Sequence, residues 1–387
     1  MPKNKLPLAL LILLLIPCWG IAWKPGGDLG VYYKASQWLQ NGLISTLYSN
    51  NAEIGNFFYG PFGLALLKPL SSLSFENANR LWLFLQTLSY SIFWFFLFKL
   101  FPELWDSQRR WLFILTWVVS IKPIHASFQS HNVQLIFAAL LILSEWFSNS
   151  EKKAHQLLSG ILVVLLASIK IYPGFIALYY FLIKRPQVKW GLFLGGLISL
   201  VFPALTFGIK SGFSLPVEFI QNALHYHQVY DLSKDVVSLS LPSLLTTWLP
   251  SAWISKGAVT LIVGSVSLFY FCWAFTQRKV LNFSENRNAW ALLWTTMAML
   301  NSTTRPDYFI YFVPSFASLP LLIEHSSKKL IYQLGTFISI LLIAFITEWT
   351  LGSRELTHYL ESIRIPVLGI ILLCLMQFLA VRNKIKE

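Results

Sequence analysis

Charge is scarce in this chain. Asp, Glu, Lys and Arg make up 12% of its 387 residues, about half the ~25% usual in soluble domains. With 55% hydrophobic residues and a mean hydropathy of +0.58, that shortage excludes a soluble globular domain. Cysteine is also sparse. Cys18, Cys272 and Cys374 each fall inside an apolar run, which argues against a disulfide framework or a thiolate metal site. The glycine-rich loops that cradle nucleotide phosphates are absent, as are internal repeats and low-complexity tracts. No cofactor and no metal are implied.

What the chain has instead is apolar runs. They lie at 6–23, 81–98, 111–121, 133–147, 157–169, 172–183, 190–208, 257–276, 289–301, 308–323, 331–348 and 365–381, with lengths near the ~20 residues a crossing helix needs. These predict one all-α, polytopic membrane domain over 1–387, with twelve spans and both termini on one side. The first run is expected to be an uncleaved span, because Trp23-Lys24-Pro25-Gly26-Gly27 follows it in place of a small-residue cleavage pattern. The net charge of +13 is scattered in ones to threes between apolar runs. It reads as topology marking, not as a nucleic-acid surface. Cytoplasmic termini gather 18 of the 30 Lys and Arg into the short inner loops, which favours that orientation and a plasma or inner membrane location. Two long loops, about 24–80 and 209–256, then face outward. The runs 157–169 and 172–183 are short and are separated by Lys170-Ile171-Tyr172-Pro173-Gly174, the pattern of a broken, partly inserted hairpin.

Of five aspartates, four (Asp28, Asp231, Asp235 and Asp307) fall on the outward side and Asp106 on the inward side. Asp28 is the notable one. It follows the first span, within Gly26-Gly27-Asp28-Leu29-Gly30-Val31-Tyr32-Tyr33, where a carboxylate at the mouth of a bundle is suited to take a proton from a sugar or lipid hydroxyl. Residues 31–41 alternate polar and aromatic side chains in the manner of an amphipathic helix. Lys170, Lys122 and Arg305 stand at outward helix ends, where an isolated cation is costly unless it meets water, a carboxylate or a phosphate; together they suit a phosphate leaving group. His125, His131, His225, His227 and His358 also fall outward. His225-Tyr226-His227 lacks a carboxylate at a familiar interval, so hydrogen bonding or a structural role suits it better than metal ligation.

These segments carry a family resemblance. Gly27 to Ala35, then Asn41-Gly42, Leu47-Tyr48 and Phe57-Phe58-Tyr59-Gly60-Pro61-Phe62, resemble the opening signature of glycosyltransferase family 87. Ser130-His131-Asn132-Val133-Gln134-Leu135 and Ala167-Ser168-Ile169-Lys170-Ile171-Tyr172-Pro173 are similar to two later segments of that family, and the order holds from about 25 to 320. The resemblance implies a GT-C type helical bundle, similar to the polyprenol-phosphate-mannose-dependent mannosyltransferases. It further implies a sugar donor on polyprenyl monophosphate, a lipid or glycan acceptor among the membrane lipids, and inverting transfer on the outer face with Asp28 as general base. The donor phosphate would meet Lys170, Lys122 and Arg305. Substrate contacts would come from Tyr32, Tyr33, Tyr59, His131, Asn132, His225, His227, Asp307 and Tyr308. The chain departs from the family where Asp307-Tyr308 replaces a histidine pair and where His131 and Asn132 replace glycine and glutamine. Alternatives from other classes are a lipid or polysaccharide flippase, a lipid-diphosphate-dependent polymerase or ligase, and a non-catalytic scaffold. The sugar transferred, the acceptor and the oligomeric state are left open by the sequence.

Overall fold

The structure is a computed structural model that describes residues 6–24, 26–43, 47–48, 59–229, 238–249, 258–259, 261–266, 268–269, 283–301, 304–324, 326, 328–346 and 348–386. Side chains at 183, 223–229, 283–286, 288–289, 348–349, 381 and 383–386 are not described. Among the described residues all regular structure is helical. The helices are α1 Leu6–Ala22, α2 Asp28–Gln40, α3 Pro61–Leu67, α4 Phe75–Leu100, α5 Arg110–Ser130, α6 Gln134–Ser148, α7 Lys153–Ile169, α8 Gly174–Ile183, α9 Pro186–Phe207 and α10 Ile209–Val229. They continue as α11 Leu241–Trp248, α12 Phe283–Leu300, α13 Val313–Ile323, α14 Lys329–Ala344, α15 Glu348–Leu351, α16 Arg354–Ser362 and α17 Ile365–Lys386, with a 3-10 turn at Pro306–Phe312.

Four stretches among the described residues are long and apolar enough to cross a membrane: Phe75–Leu100, Ser107–Ser130, Pro186–Phe207 and Pro306–Ile323. A fifth forms if α16 and α17, bent by 57° at their junction, count as one span. Shorter apolar helices fall on the other expected spans, apart from 257–276, which lies largely outside the described residues. The expected break after 169 is present, since α7 ends at Ile169 and α8 starts at Gly174. The two expected loops are not simple connectors. Residues 24–80 contain α2, α3 and the start of α4, and 209–256 contains α10 and α11. These are shorter or more polar than a crossing helix, which is why composition alone reads them as loop.

The chain divides into two compact units, one of Leu15–Phe96 and Ser127–Tyr230, the other of Met1–Leu14, Leu97–Ala126 and Asp231–Glu387. In the first, the most extensive helix pairing is α7 with α9, and small residues make it. A Cβ on Gly160 would overlap the Val188 carbonyl, and one on Gly191 the Leu157 carbonyl; one on Gly195 would lie 3.0 Å from Ile161 Cα. Gly191 and Gly195 are four residues apart on one face of α9, the small-xxx-small spacing that brings apolar helices into backbone contact. At the start of α4, the Ser74 hydroxyl accepts from Asn77 N–H, with Glu76 in the first turn and Lys99 in the last, matching the helix dipole.

In the second unit, fully buried Trp290 and Trp294 of α12 pack on each other, with ring centroids 4.4 Å apart, and Trp294 meets Tyr311 edge-on at 5.7 Å. Methionine and glycine interlock α14 with α17, where Gly335 lies against Met376. Ser240 and Ser243 form a reciprocal capping box at the start of α11.

Candidate active site

Four of the segments singled out in the sequence meet inside the first unit. The end of α1 is fixed by Asn79 of α4, whose amide donates to the carbonyls of Ala22 at 3.3 Å and Trp23 at 3.2 Å. After it the chain turns through Gly27, which has φ +56° and lies so close to Ser130 that a Cβ would overlap the serine carbonyl. Both facts demand glycine. Asp28, the next residue, is therefore the first residue of α2 and sits half-buried against the turn that follows α5.

That turn is itself tightly specified. His131 is buried and adopts φ +53°, a left-handed conformation uncommon outside glycine and asparagine. Its Nε2–H donates to the Ala22 carbonyl at 3.1 Å. Gln86 of α4 donates to the Ser127 carbonyl at 2.7 Å and to the Asn132 carbonyl at 3.4 Å. The Asn132 side chain, only 4% exposed, then donates from Nδ2 to Asp28 Oδ2 at 2.6 Å. Only the amide nitrogen can donate to a carboxylate, so the partner fixes the amide's orientation.

On the other side of Asp28, the Tyr32 hydroxyl reaches the same Oδ2 at a long 3.5 Å and shares a 2.6 Å hydrogen bond with Tyr59. The Tyr32 ring is wholly enclosed, edge-on to Tyr59 and 4.9 Å from Trp82. Tyr32, expected to contact substrate, has its apolar body in the core and its hydroxyl in the network around Asp28. Tyr33 points elsewhere, donating to the Leu73 carbonyl at 2.8 Å. Tyr59 and Gly60 dock on the end of α7. Gly60 N–H donates to the Ile169 carbonyl at 2.8 Å, with Gly60 packed onto the Ser168 backbone. Lys170, the next residue after α7, holds its ammonium 4.5 Å from the Tyr59 ring centre, within cation–π range. Gln134, at the start of α6, accepts from Tyr172 at 2.5 Å.

One carboxylate, a buried amide, two linked phenols and a half-buried lysine are thus assembled from residues 28–32, 59–60, 131–134 and 168–172. A carboxylate so placed can accept a proton, and the lysine can neutralise an anion. Tyr59→Phe keeps the ring beneath Lys170 and removes the hydroxyl shared with Tyr32. Thermal unfolding in detergent is expected to show a loss of about 1 kcal/mol, the scale of one buried hydrogen bond.

Of the other expected site residues, Lys122, Arg305, Asp307 and Tyr308 belong to the second unit. Lys122 is in the second unit, where its ammonium donates to the Ile346 carbonyl at 2.7 Å and to Glu361 at 3.2 Å and lies 5.9 Å from the Phe309 ring centre. In this structure a protein carboxylate pairs with the charge that was expected to meet phosphate. Also in the second unit, Arg305 is exposed and precedes the 3-10 turn in which Asp307 and Tyr308 are buried. His225 and His227 lie on α10, but their side chains fall outside the description, and Asp231 and Asp235 lie outside the described residues. The contribution the sequence reading missed is that of Gln86. A glutamine inside an apolar run is the signal that could have found it.

Among the described residues the protein is helical, with helices apolar and long enough to cross a membrane, and its cluster joins a proton acceptor to a cation. The family model of glycosyltransferase family 87 matches residues 57–303, well over half of the chain, and the chain belongs to that family. It is a glycosyltransferase. The match includes Tyr59, Asn132 and Lys170, whereas Asp28 precedes it. Comparisons with curated proteins and with solved structures return no match.

Proposed function

We propose that the protein is an inverting transferase that moves a sugar, mannose by family likeness, from a polyprenyl-phosphate donor to a lipid or glycan acceptor. In this reading the acceptor hydroxyl oxygen attacks the anomeric carbon from the face opposite the phosphate. The bond from that carbon to the phosphate oxygen breaks, and its electron pair leaves on the polyprenyl phosphate. The acceptor proton passes to Asp28. A β-linked donor then gives an α-linked product. Lys170 is assigned to the donor phosphate, since a half-buried ammonium at the end of an apolar helix is suited to meet a phosphate. The observation that carries the reading is the joining of Asp28, through Asn132 and the Tyr32–Tyr59 pair, to the segment that bears Lys170.

The finer architecture belongs to the same proposal: twelve spans in a plasma or inner membrane, both termini cytoplasmic, and Asp28 on the extracytoplasmic side. The distribution of Lys and Arg supports that orientation.

The test supplies purified protein with radiolabelled polyprenyl-phosphate-mannose and extracted membrane lipids. Label is expected in a new glycolipid, with free polyprenyl monophosphate released and an α anomer by NMR. Transfer from lipid-diphosphate donors alone would overturn the reading in favour of a polymerase or ligase. Transfer of glucose, galactose or arabinose in place of mannose would correct the sugar and keep the mechanism.

A further inference from the structure

We infer that Asn132 is a positioning residue for the transfer reaction, one that acts by holding the Asp28 carboxylate rather than by touching the sugar. This rests on the reading of Asp28 as the base. Three observations lead to it. The hydrogen bond from Asn132 Nδ2 to Asp28 Oδ2 is short, at 2.6 Å, and its donor is buried whereas its acceptor is half-exposed. Both donors that reach Asp28 among the described residues, Asn132 and Tyr32, reach the same oxygen. Oδ2 is thereby anchored to the protein, and Oδ1 is the oxygen left for an incoming hydroxyl.

The third observation is how much structure is committed to placing one amide. Asn132 follows His131, which is left-handed and sets its imidazole on the Ala22 carbonyl. Its own N–H donates to Ser127 and its carbonyl accepts from Gln86. On the opposing side, Gly27 sets the Asp28 backbone directly upon Ser130. The two ends of the hydrogen bond are therefore held by one set of contacts, in which the junction of α1 and α2 packs against the turn between α5 and α6. An anchored carboxylate does not lose rotamer freedom when the acceptor binds, and small displacements of a reacting group are expensive in rate. The same amide has its Oδ1 buried with no partner among the described residues, so its remaining hydrogen-bonding capacity does not tie it to any competing arrangement.

Asn132→Leu preserves side-chain size and removes the donor. The expected result is a drop in kcat of about 100-fold with the KM for donor within about twofold of wild type, the signature of a loss felt at the chemical step. In the Asp28→Asn background the same substitution is expected to add almost nothing, because the group it positions is already gone. Should Asn132→Leu fold poorly, the exchanged pair Asp28→Asn with Asn132→Asp restores a hydrogen bond at this place while moving the carboxylate to the turn. It is expected to unfold at the wild-type temperature and to remain inactive.

The outcomes separate cleanly. A normal kcat for Asn132→Leu beside an inactive Asp28→Asn overturns the positioning role and leaves the base in place. A full, multiplicative loss in the Asp28→Asn background, or restored transfer in the exchanged pair, also overturns it. Full activity of Asp28→Asn by itself removes the base, and the positioning role falls with it.

Discussion

Asp28→Asn is expected to lower kcat for transfer by about 10²- to 10⁴-fold, the range supplied by a placed general base, while the protein stays folded and continues to bind donor. The structure makes the substitution unusually informative. Asn132 donates to Oδ2, and an asparagine at position 28 can present its carbonyl oxygen to the same donor, so the contact between α2 and the following turn survives. Tyr32 and Tyr59 keep their mutual hydrogen bond at 2.6 Å. What disappears is the ability to accept the acceptor's proton. Asp28→Glu, which keeps the charge, is expected to lose activity as well, because one added methylene displaces the carboxylate from a site fixed on both sides. The measurement is single-turnover transfer of labelled sugar, with donor-lipid binding and thermal unfolding recorded on the same samples. An Asp28→Asn variant that transfers at the wild-type rate would exclude this carboxylate from the chemistry.

Asp28 and Lys170, two members of the candidate site, were legible in the sequence because the proposed chemistry depends on residue types that an apolar chain uses sparingly. In a chain that is 12% charged, a carboxylate between glycines and an aromatic run stands out, as does Lys170 between two short apolar segments. The long apolar helices were legible for a similar reason, since apolar length marks them, whereas α2, α3, α10 and α11 were not, being shorter or more polar. Other features were hidden. The partnership of Asn132 with Asp28 spans 104 residues in sequence and follows a left-handed histidine, a conformation uncommon for any residue but glycine. The pairing of Lys122 with Glu361 spans 239 residues, so a lysine that looked available for phosphate is already matched by charge. Tyr32 was expected among the substrate contacts by resemblance to the family. Its place in the helical repeat, with Leu29, Ala35, Ser36 and Leu39 also buried, puts it on the inward face. The glycines of α7 and α9 are informative only once the two helices are known to cross at Gly160 and Gly191.

Lys184→Met is expected to destabilise the protein by about 3–5 kcal/mol, the cost of leaving one member of a buried ion pair uncompensated. Lys184 follows α8, and its Nζ lies 2.7 Å from Glu145 Oε1 on α6, with side chains only 9% and 1% exposed. Tyr180 and Asn149 each donate to the same carboxylate at 2.9 Å, but neither carries a charge. Removing the ammonium therefore strands an anion in a region built from apolar helices. Adding Glu145→Gln to Lys184→Met takes that anion away, and the double variant is expected to be more stable than the lysine variant alone. Denaturant unfolding of detergent-solubilised protein measures both steps. Transfer supplies the contrast. α6 runs 15 residues from Gln134, which bonds to Tyr172 beside Lys170, to Ser148 beyond Glu145, a length of about 20 Å. The ion pair is thus at the far end of α6 from the proposed chemistry, and at a temperature where Lys184→Met remains folded its kcat is expected to stay within about twofold of wild type. A collapse of kcat in well-folded Lys184→Met would instead make this ion pair part of the working site.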